Sequence, residues 1–128
     1  MSVEVIVMSK TIMVVDDSAS LRQVVSIALK GAGYDVLEAG DGQEALGLLD
    51  GRKVNLIISD VNMPNMDGIS MVTEVKKNPS YKFTPIIMLT TESQNDMKQK
   101  GKEAGVKAWV VKPFKPEQML DAVSKLVM

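Results

Sequence analysis

Polar residues that could do chemistry stand directly after four short apolar runs of this sequence. They are Asp16 and Asp17 after the first run, Asp60 after the second, Thr90 after the third and Lys112 after the fourth. Carboxylates brought close together repel one another unless one is protonated or a cation lies between them, and an all-oxygen site suits Mg²⁺. An ammonium and a hydroxyl beside the metal would bind a tetrahedral dianion. These residue types point to phosphoryl transfer, which needs a nucleophile, cations and hydrogen-bond donors around the phosphoryl oxygens.

The elements that must position these residues are strands and helices in alternation. Continuous apolar runs over residues 12–15, 54–59, 85–89 and 108–111 indicate strands buried in a parallel sheet, and the alternation over residues 35–39 indicates an edge strand. Helical patterns separate the strands. In open α/β sheets chemistry gathers at the carboxyl ends of the strands. The sequence therefore predicts a five-stranded, doubly wound α/β sandwich with helices on both faces and one cleft that collects these residues.

Length and composition predict one domain over residues 10–128, because 128 residues suit a single hydrophobic core. We expect residues 1–9 to be an N-terminal extension. It is either a frayed segment before a second start at Met8 or a β-prone arm that pairs along a sheet edge or with another chain. The net charge of −1 suggests neither a nucleic-acid nor a membrane partner, and no apolar stretch reaches the roughly 18 residues of a membrane span.

Cysteine and histidine are both absent. Disulfides, thiolate chemistry, imidazole bases and phosphohistidine are thereby excluded for this chain. The absence of cysteine fits a reducing compartment, and we expect a cytoplasmic protein.

The fourth predicted helix, from about Ser93 to Glu103, is mostly polar and contains Gly101. Glycine inside a helix costs about 1 kcal/mol relative to alanine, so we expect this helix to be the least stable. Lysines concentrate from here onward: Lys98, Lys100, Lys102, Lys107, Lys112 and Lys115. They are either a solvated helix face or a surface that meets an acidic partner.

From about Thr11 to Met128 the sequence resembles the receiver domains of two-component response regulators. The matching residues are the acidic pair Asp16-Asp17, Asp60 with the segment that follows it to Gly68, Thr90, and Lys112-Pro113-Phe114. The resemblance implies a flavodoxin-like sheet of strand order 2-1-3-4-5. It also implies that a sensor histidine kinase phosphorylates Asp60. Mg²⁺ would be held by Asp17, Asp60 and the backbone carbonyl of Asn62, with Asp16 acting mainly through water, and the Lys112-Pro113 bond would be cis.

Because no further domain follows the last helix in this sequence, we expect a stand-alone receiver, similar to the chemotaxis regulators of the CheY type. The segment from Asn62 to Gly68 and Glu92 match theirs, and Asn62 and Glu92 would tune dephosphorylation. The resemblance implies a monomer that binds the flagellar motor switch protein through its fourth helix, fifth strand and fifth helix. A phosphatase would be a further partner.

Two features depart from that pattern. Trp109 stands where these regulators usually have Tyr or another aromatic that moves inward when Thr90 moves toward the phosphoryl group. Because indole is larger, we expect the inward state to be crowded. The alternative is that Trp109 only covers the core. Lys98 and Lys100 make the fourth helix more basic than a motor-binding face should be, which leaves the target open.

Two other functions fit parts of the pattern. A phosphorelay carrier or phosphate sink, which passes the phosphoryl group to or from a histidine phosphotransfer protein, would have the same site. A phosphohydrolase of the haloacid dehalogenase kind also uses an aspartyl nucleophile, with a second Asp two residues later as general acid and base. Here that position is Asn62, which cannot carry a proton. We therefore expect a phosphoacceptor signalling protein and not an enzyme.

Overall fold

The computed structural model describes residues 9–91 and 97–128. The strands are β1 Thr11–Val15, β2 Asp35–Ala39, β3 Leu56–Asp60, β4 Ile86–Thr90 and β5 Ala108–Val111, and the helices are α1 Ala19–Gly31, α2 Gly42–Leu48, α3 Gly68–Lys77, α4 Met97–Ala104 and α5 Pro116–Leu126. The predicted extension lies outside the described residues except for its last residue, as does the predicted start of the fourth helix at Ser93. Within the described residues, no helix is long and apolar enough to cross a bilayer.

The five strands form one parallel sheet in the order β2-β1-β3-β4-β5. The predicted fold class and strand order are therefore confirmed. Two strands end one residue later than the apolar runs suggested. Asp60 still pairs with Leu89, and Thr90 with Val111. Both residues are thus fixed by the sheet and not carried on loops.

Helices cover both faces of the sheet, so the central strands are apolar on both sides. One buried layer lies between the sheet and helices α2, α3 and α4, and includes Met13, Ile57, Met71 and Met88. The other lies beneath α1 and α5 and includes Leu29, Ile58 and Met119. This two-sided core holds the strand ends rigidly side by side.

Three helices begin with side-chain caps close to the carboxyl end of the sheet. The side chains of Ser18, Asp41 and Asp67 accept hydrogen bonds from backbone N–H groups in the first turns of α1, α2 and α3. Such caps satisfy N–H groups that the helix itself leaves unpaired. Two of the three caps are carboxylates, which also suit the positive end of a helix dipole. Acidic side chains therefore collect at this end of the domain.

Candidate functional site

Three carboxylates meet where β1 and β3 end. Val15 pairs with Ser59, so the residues that follow lie side by side. Asp16, Asp17 and Asp60 each place one carboxylate oxygen within 4.8 Å of the others. The structure thus brings together all three acids that the sequence singled out, in a cluster that could hold a cation.

Lys112 brings a positive charge into this cluster from β5. Its Nζ lies 3.1 Å from Oδ1 of Asp60 and 3.8 Å from Oδ2 of Asp16. The backbone N–H of Lys112 donates to the carbonyl oxygen of Thr90 (2.6 Å), which continues the β4–β5 pairing beyond the end of β5. The Lys112-Pro113 peptide bond is cis. The two distances place the ammonium against the carboxylates of both Asp60 and Asp16.

Asp16 is the buried member of the cluster, at 1% exposure, whereas its neighbour Asp17 is exposed. Its Oδ1 accepts a hydrogen bond from the backbone N–H of Ser18 (2.9 Å), but its buried Oδ2 has no hydrogen-bond partner among the described residues. Burial raises the pKa of Asp16, and the charges of Asp60 and Asp17 raise it further, against the Ser18 hydrogen bond and the charge of Lys112. An unsatisfied buried carboxylate oxygen among three acids is chemically suited to a hard, oxygen-binding cation such as Mg²⁺.

The side chain of Asp60 is 14% exposed and therefore open to a reactant from solvent. Its Oδ1 accepts a hydrogen bond from the backbone N–H of Val61 (2.9 Å) in addition to the contact with Lys112. The start of α3 presses against this residue, since a Cβ on Gly68 would lie 2.2 Å from the carbonyl oxygen of Asp60. Only glycine permits that approach.

The remaining predicted site residues lie around this cluster. Thr90 ends β4, beside β3, and is fully buried, with its hydroxyl donating to the carbonyl oxygen of Thr91 (3.1 Å). Asn62 is exposed in the turn after β3. Glu92, predicted to tune dephosphorylation, lies outside the described residues.

Trp109 lies on β5, paired with Met88, two residues before the pair of Val111 and Thr90. Because side chains alternate across a strand, Trp109, Met88 and Thr90 face the same side of the sheet. The indole is half-buried there and packs against the layer under α4. A Cβ on Gly101 would lie 2.3 Å from its Cζ2. Gly101 is therefore more than the helix-weakening residue that the sequence suggested, because it leaves the space that the indole fills.

Arg22 is a site residue that sequence reasoning missed. Its Nη1 donates to the carbonyl oxygen of Asp16 (2.5 Å), and its Nε lies 3.4 Å from Oε1 of Glu38. The side chain thus ties the end of β1 to α1 and β2 and holds the backbone of Asp16. An arginine in the first turns of a helix carries no sequence signal for this role, which depends on three elements meeting.

Comparison with known proteins adds three relatives and a family. The family described as "Response regulator receiver domain" matches residues 12–124. The phosphate regulon transcriptional regulatory protein PhoB of Pseudomonas aeruginosa is 38% identical over 111 residues, which is 87% of this chain but only 48% of PhoB, so the chain spans about half the length of that relative. The chemotaxis protein CheY1 of Helicobacter pylori is 41% identical over 108 residues, covering 83% of this chain and 87% of CheY1. The structure of the chemotaxis response regulator CheY4 of Vibrio cholerae superposes with a TM-score of 0.88 at 47% identity, over 94% of this chain and 100% of that one.

Proposed function

The chain belongs to the response regulator receiver family, and we propose that its Asp60 accepts a phosphoryl group from the phosphohistidine of a sensor histidine kinase. A carboxylate oxygen of Asp60 attacks phosphorus, the P–N bond of the donor breaks, and the imidazole leaves. The observation that carries this proposal is the position of Asp60, partly open to solvent, between Lys112 and two further carboxylates. Residues 10–128 would form the receiver domain, behind an N-terminal extension over residues 1–9.

Asp16, Asp17, Asp60 and the backbone carbonyl of Asn62 would hold the Mg²⁺ that this transfer requires. When bound, the ion neutralises charge on the phosphoryl oxygens. The unsatisfied, buried Oδ2 of Asp16 supports a cation at this position. The raised pKa of Asp16, caused first by burial and then by the charges of Asp60 and Asp17, fits a position where a bound cation would stabilise the ionised carboxylate.

Lys112 and Thr90 would read the phosphorylated state. Lys112 already contacts Oδ1 of Asp60 at 3.1 Å. Its ammonium would pair with a phosphoryl oxygen once Asp60 is phosphorylated. The hydroxyl of Thr90, at the end of β4, would donate a hydrogen bond to a second phosphoryl oxygen. Trp109 lies on the same side of the sheet as Thr90, so a shift of Thr90 would be passed to the indole and to the surface of α4, β5 and α5.

The target that we propose for this surface is the flagellar motor switch. Support comes from the likeness to CheY4 over the whole of that chain and from the 41% identity to CheY1, both described as chemotaxis proteins. The protein would act as a cytoplasmic monomer, with Asn62 and Glu92 tuning the lifetime of the phosphoaspartate and a phosphatase shortening it. The second candidate is a phosphorelay carrier or phosphate sink, because the phosphoacceptor site of such a protein would look the same as this one.

One experiment separates the two. The full chain is phosphorylated with a small phosphodonor and Mg²⁺, and Asp60→Asn serves as the control that should take up no phosphoryl group. The labelled protein is then offered a flagellar switch-protein peptide and, separately, a histidine phosphotransfer protein. Phosphate-dependent binding of the peptide supports the motor, whereas rapid transfer of the label to the phosphotransfer protein supports the relay. Uptake of label by Asp60→Asn would overturn the phosphoacceptor itself.

A further inference from the structure

Phe83 is 75% exposed although its loop is otherwise firmly anchored. Tyr81 and Thr84 on either side of it are only 3% and 4% exposed. The hydroxyl of Tyr81 accepts a hydrogen bond from the backbone N–H of Gly51 (2.8 Å) and donates one to the carbonyl oxygen of Arg52 (2.7 Å). The phenyl ring is therefore held out into solvent by a rigid loop and is not exposed through local disorder.

Lysines lie at the same end of the sheet as this ring, the end where the strands begin. They are Lys53 before β3, Lys76 in the last turn of α3, Lys82 beside Phe83, Lys102 in the last turn of α4 and Lys107 before β5. We call the surface formed by Phe83 and these five lysines the basic end. None of the five forms an ion pair with a carboxylate in the part of the chain that the structure describes.

Direct contacts join the loops of the basic end. The Tyr81 hydrogen bonds link the loop before β4 to the loop before β3. The side chain of Lys76 donates to the carbonyl oxygen of Thr84 (2.6 Å) and also packs beside Gly105 in the loop before β5. Burial lowers the pKa of Lys76, and the nearby charge of Lys107 lowers it further. Three loops that carry lysines thus lie side by side at the basic end.

The opposite end of the domain is acidic, with Asp16, Asp17 and Asp60 in its cleft. In this fold the helices begin at the carboxyl ends of the strands and end where the next strands begin. Helix dipoles favour carboxylates where helices begin, at the carboxyl ends of the strands, and ammonium groups where helices end. Although the net charge is only −1, the acid cluster lies at the carboxyl ends of the strands and the five lysines lie near the ends where the strands begin.

We propose that the basic end docks the domain reversibly on an anionic phospholipid surface, with Phe83 entering the interface and the lysines contacting lipid phosphates. A set of lysines spread over loops and helix ends, at the same end as one projecting ring, matches a flat, negatively charged surface better than a pocket in a protein. Juxtaposed basic and aromatic residues are the combination that such interfaces select. This orientation turns Asp60 away from the repelling lipid charge and toward the aqueous phase, where it stays open to a phosphoryl donor.

The test is co-sedimentation of the full chain with phosphatidylcholine vesicles, with or without phosphatidylglycerol. We expect binding only to vesicles that contain phosphatidylglycerol, and loss of that binding at high salt. Lys82→Gln should weaken the binding about fivefold. Phe83→Ser, which leaves the charge unchanged, should weaken it by about tenfold or more. Neither residue belongs to the phosphoacceptor site, so phosphorylation of Asp60 should not change.

The matched control is Lys115→Gln, which removes one positive charge at the acidic end, where Lys115 precedes α5. It should bind vesicles as well as the unmodified chain does. Three results would overturn the proposal: no preference for phosphatidylglycerol, an equal loss in Lys115→Gln and Lys82→Gln, or full binding by Phe83→Ser. Binding of a soluble acidic peptide that depends on Phe83, without binding to vesicles, would assign the surface to a protein partner instead.

Discussion

Trp109 occupies the space that a side chain on Gly101 would need. A Cβ built on Gly101 would lie 2.3 Å from Cζ2 and 2.6 Å from Cη2 of the indole, far inside van der Waals contact. The close packing of β5 on α4 at this point thus depends on a pair of residues, one unusually large and one without a side chain. Movement of the indole and movement of α4 are consequently linked.

Gly101→Ala tests this pair. Alanine should stabilise the helix by about 1 kcal/mol, but overpacking against the indole costs about 1–3 kcal/mol. We therefore expect the melting temperature to fall or stay level and the emission of Trp109 to shift to the red as the ring is displaced.

The matched control for that variant is Gly47→Ala in α2, where nothing lies within 4 Å of the added Cβ. It should raise the melting temperature. In the Trp109→Leu background, Gly101→Ala should raise the melting temperature above that of Trp109→Leu alone, because the added Cβ no longer meets an indole. If Gly101→Ala alone stabilised the protein as much as Gly47→Ala, the proposed dependence of one residue on the other would be wrong.

Asp17→Asn should raise the melting temperature in metal-free buffer, because it removes one of three carboxylates whose oxygens lie within 4.8 Å of one another. Because Asp17 itself is exposed and screened by water, its repulsion from a neighbouring charge at this distance is worth about 1 kcal/mol. Asp35→Asn, at the start of β2 and outside the cluster, is the charge-matched control and should change little. The same substitution at Asp17 should weaken the stabilisation that Mg²⁺ gives. An equal or lower melting temperature without metal would count against repulsion in the cluster.

Emission from Trp109 should respond to occupation of the site. It is the only tryptophan of the chain, and it shares one side of the sheet with Thr90. Titration with Mg²⁺ and then with beryllofluoride, a mimic of the phosphoryl group, should change the intensity or wavelength of emission. Asp60→Asn should abolish the response to beryllofluoride. A flat titration of the unmodified chain would remove Trp109 from the switch.

Lys107→Gln should raise the pKa of Lys76 without restoring its ordinary value. Burial is the larger cause of the lowered pKa and remains, while the charge of Lys107 is the smaller cause and is removed. A lysine with a lowered pKa in the folded state destabilises the protein while it is charged. That cost disappears as the pH rises through the lowered pKa toward the ordinary one, so Lys107→Gln should flatten the rise of stability with pH in this alkaline range.

The pKa of Lys76 can be followed by NMR of its side-chain carbon next to Nζ. Lys100→Gln on the exposed part of α4 removes the same charge and should leave that pKa unchanged. A pKa of Lys76 that does not respond to Lys107→Gln would mean that the two ammonium groups are screened from each other.

Much of the fold and of the site could be read from local patterns. Each of four apolar runs predicted a strand that ends in a polar residue at the carboxyl end of a parallel sheet. The alternation over residues 35–39 predicted the edge strand, and the helical spacing between the runs predicted the helices. Types of residue also determined the chemistry, since a chain without cysteine or histidine can offer Asp60, Thr90 and Lys112 but no thiolate or imidazole. These inferences succeed because strand and helix periods are short-range properties.

Tertiary structure decided how those residues differ from one another. Asp16 and Asp17 are neighbours with the same side chain, yet one is buried with an unsatisfied oxygen and the other exposed. The contact of Arg22 with the backbone of Asp16, and the space that Gly101 leaves for Trp109, join residues on different elements. The sequence shows a net charge near zero, but only the folded chain gathers Asp16, Asp17 and Asp60 at one end of the sheet and Lys53, Lys82 and Lys107 at the other. Burial, close packing and charge separation depend on which elements meet in three dimensions, and no local pattern carries that information.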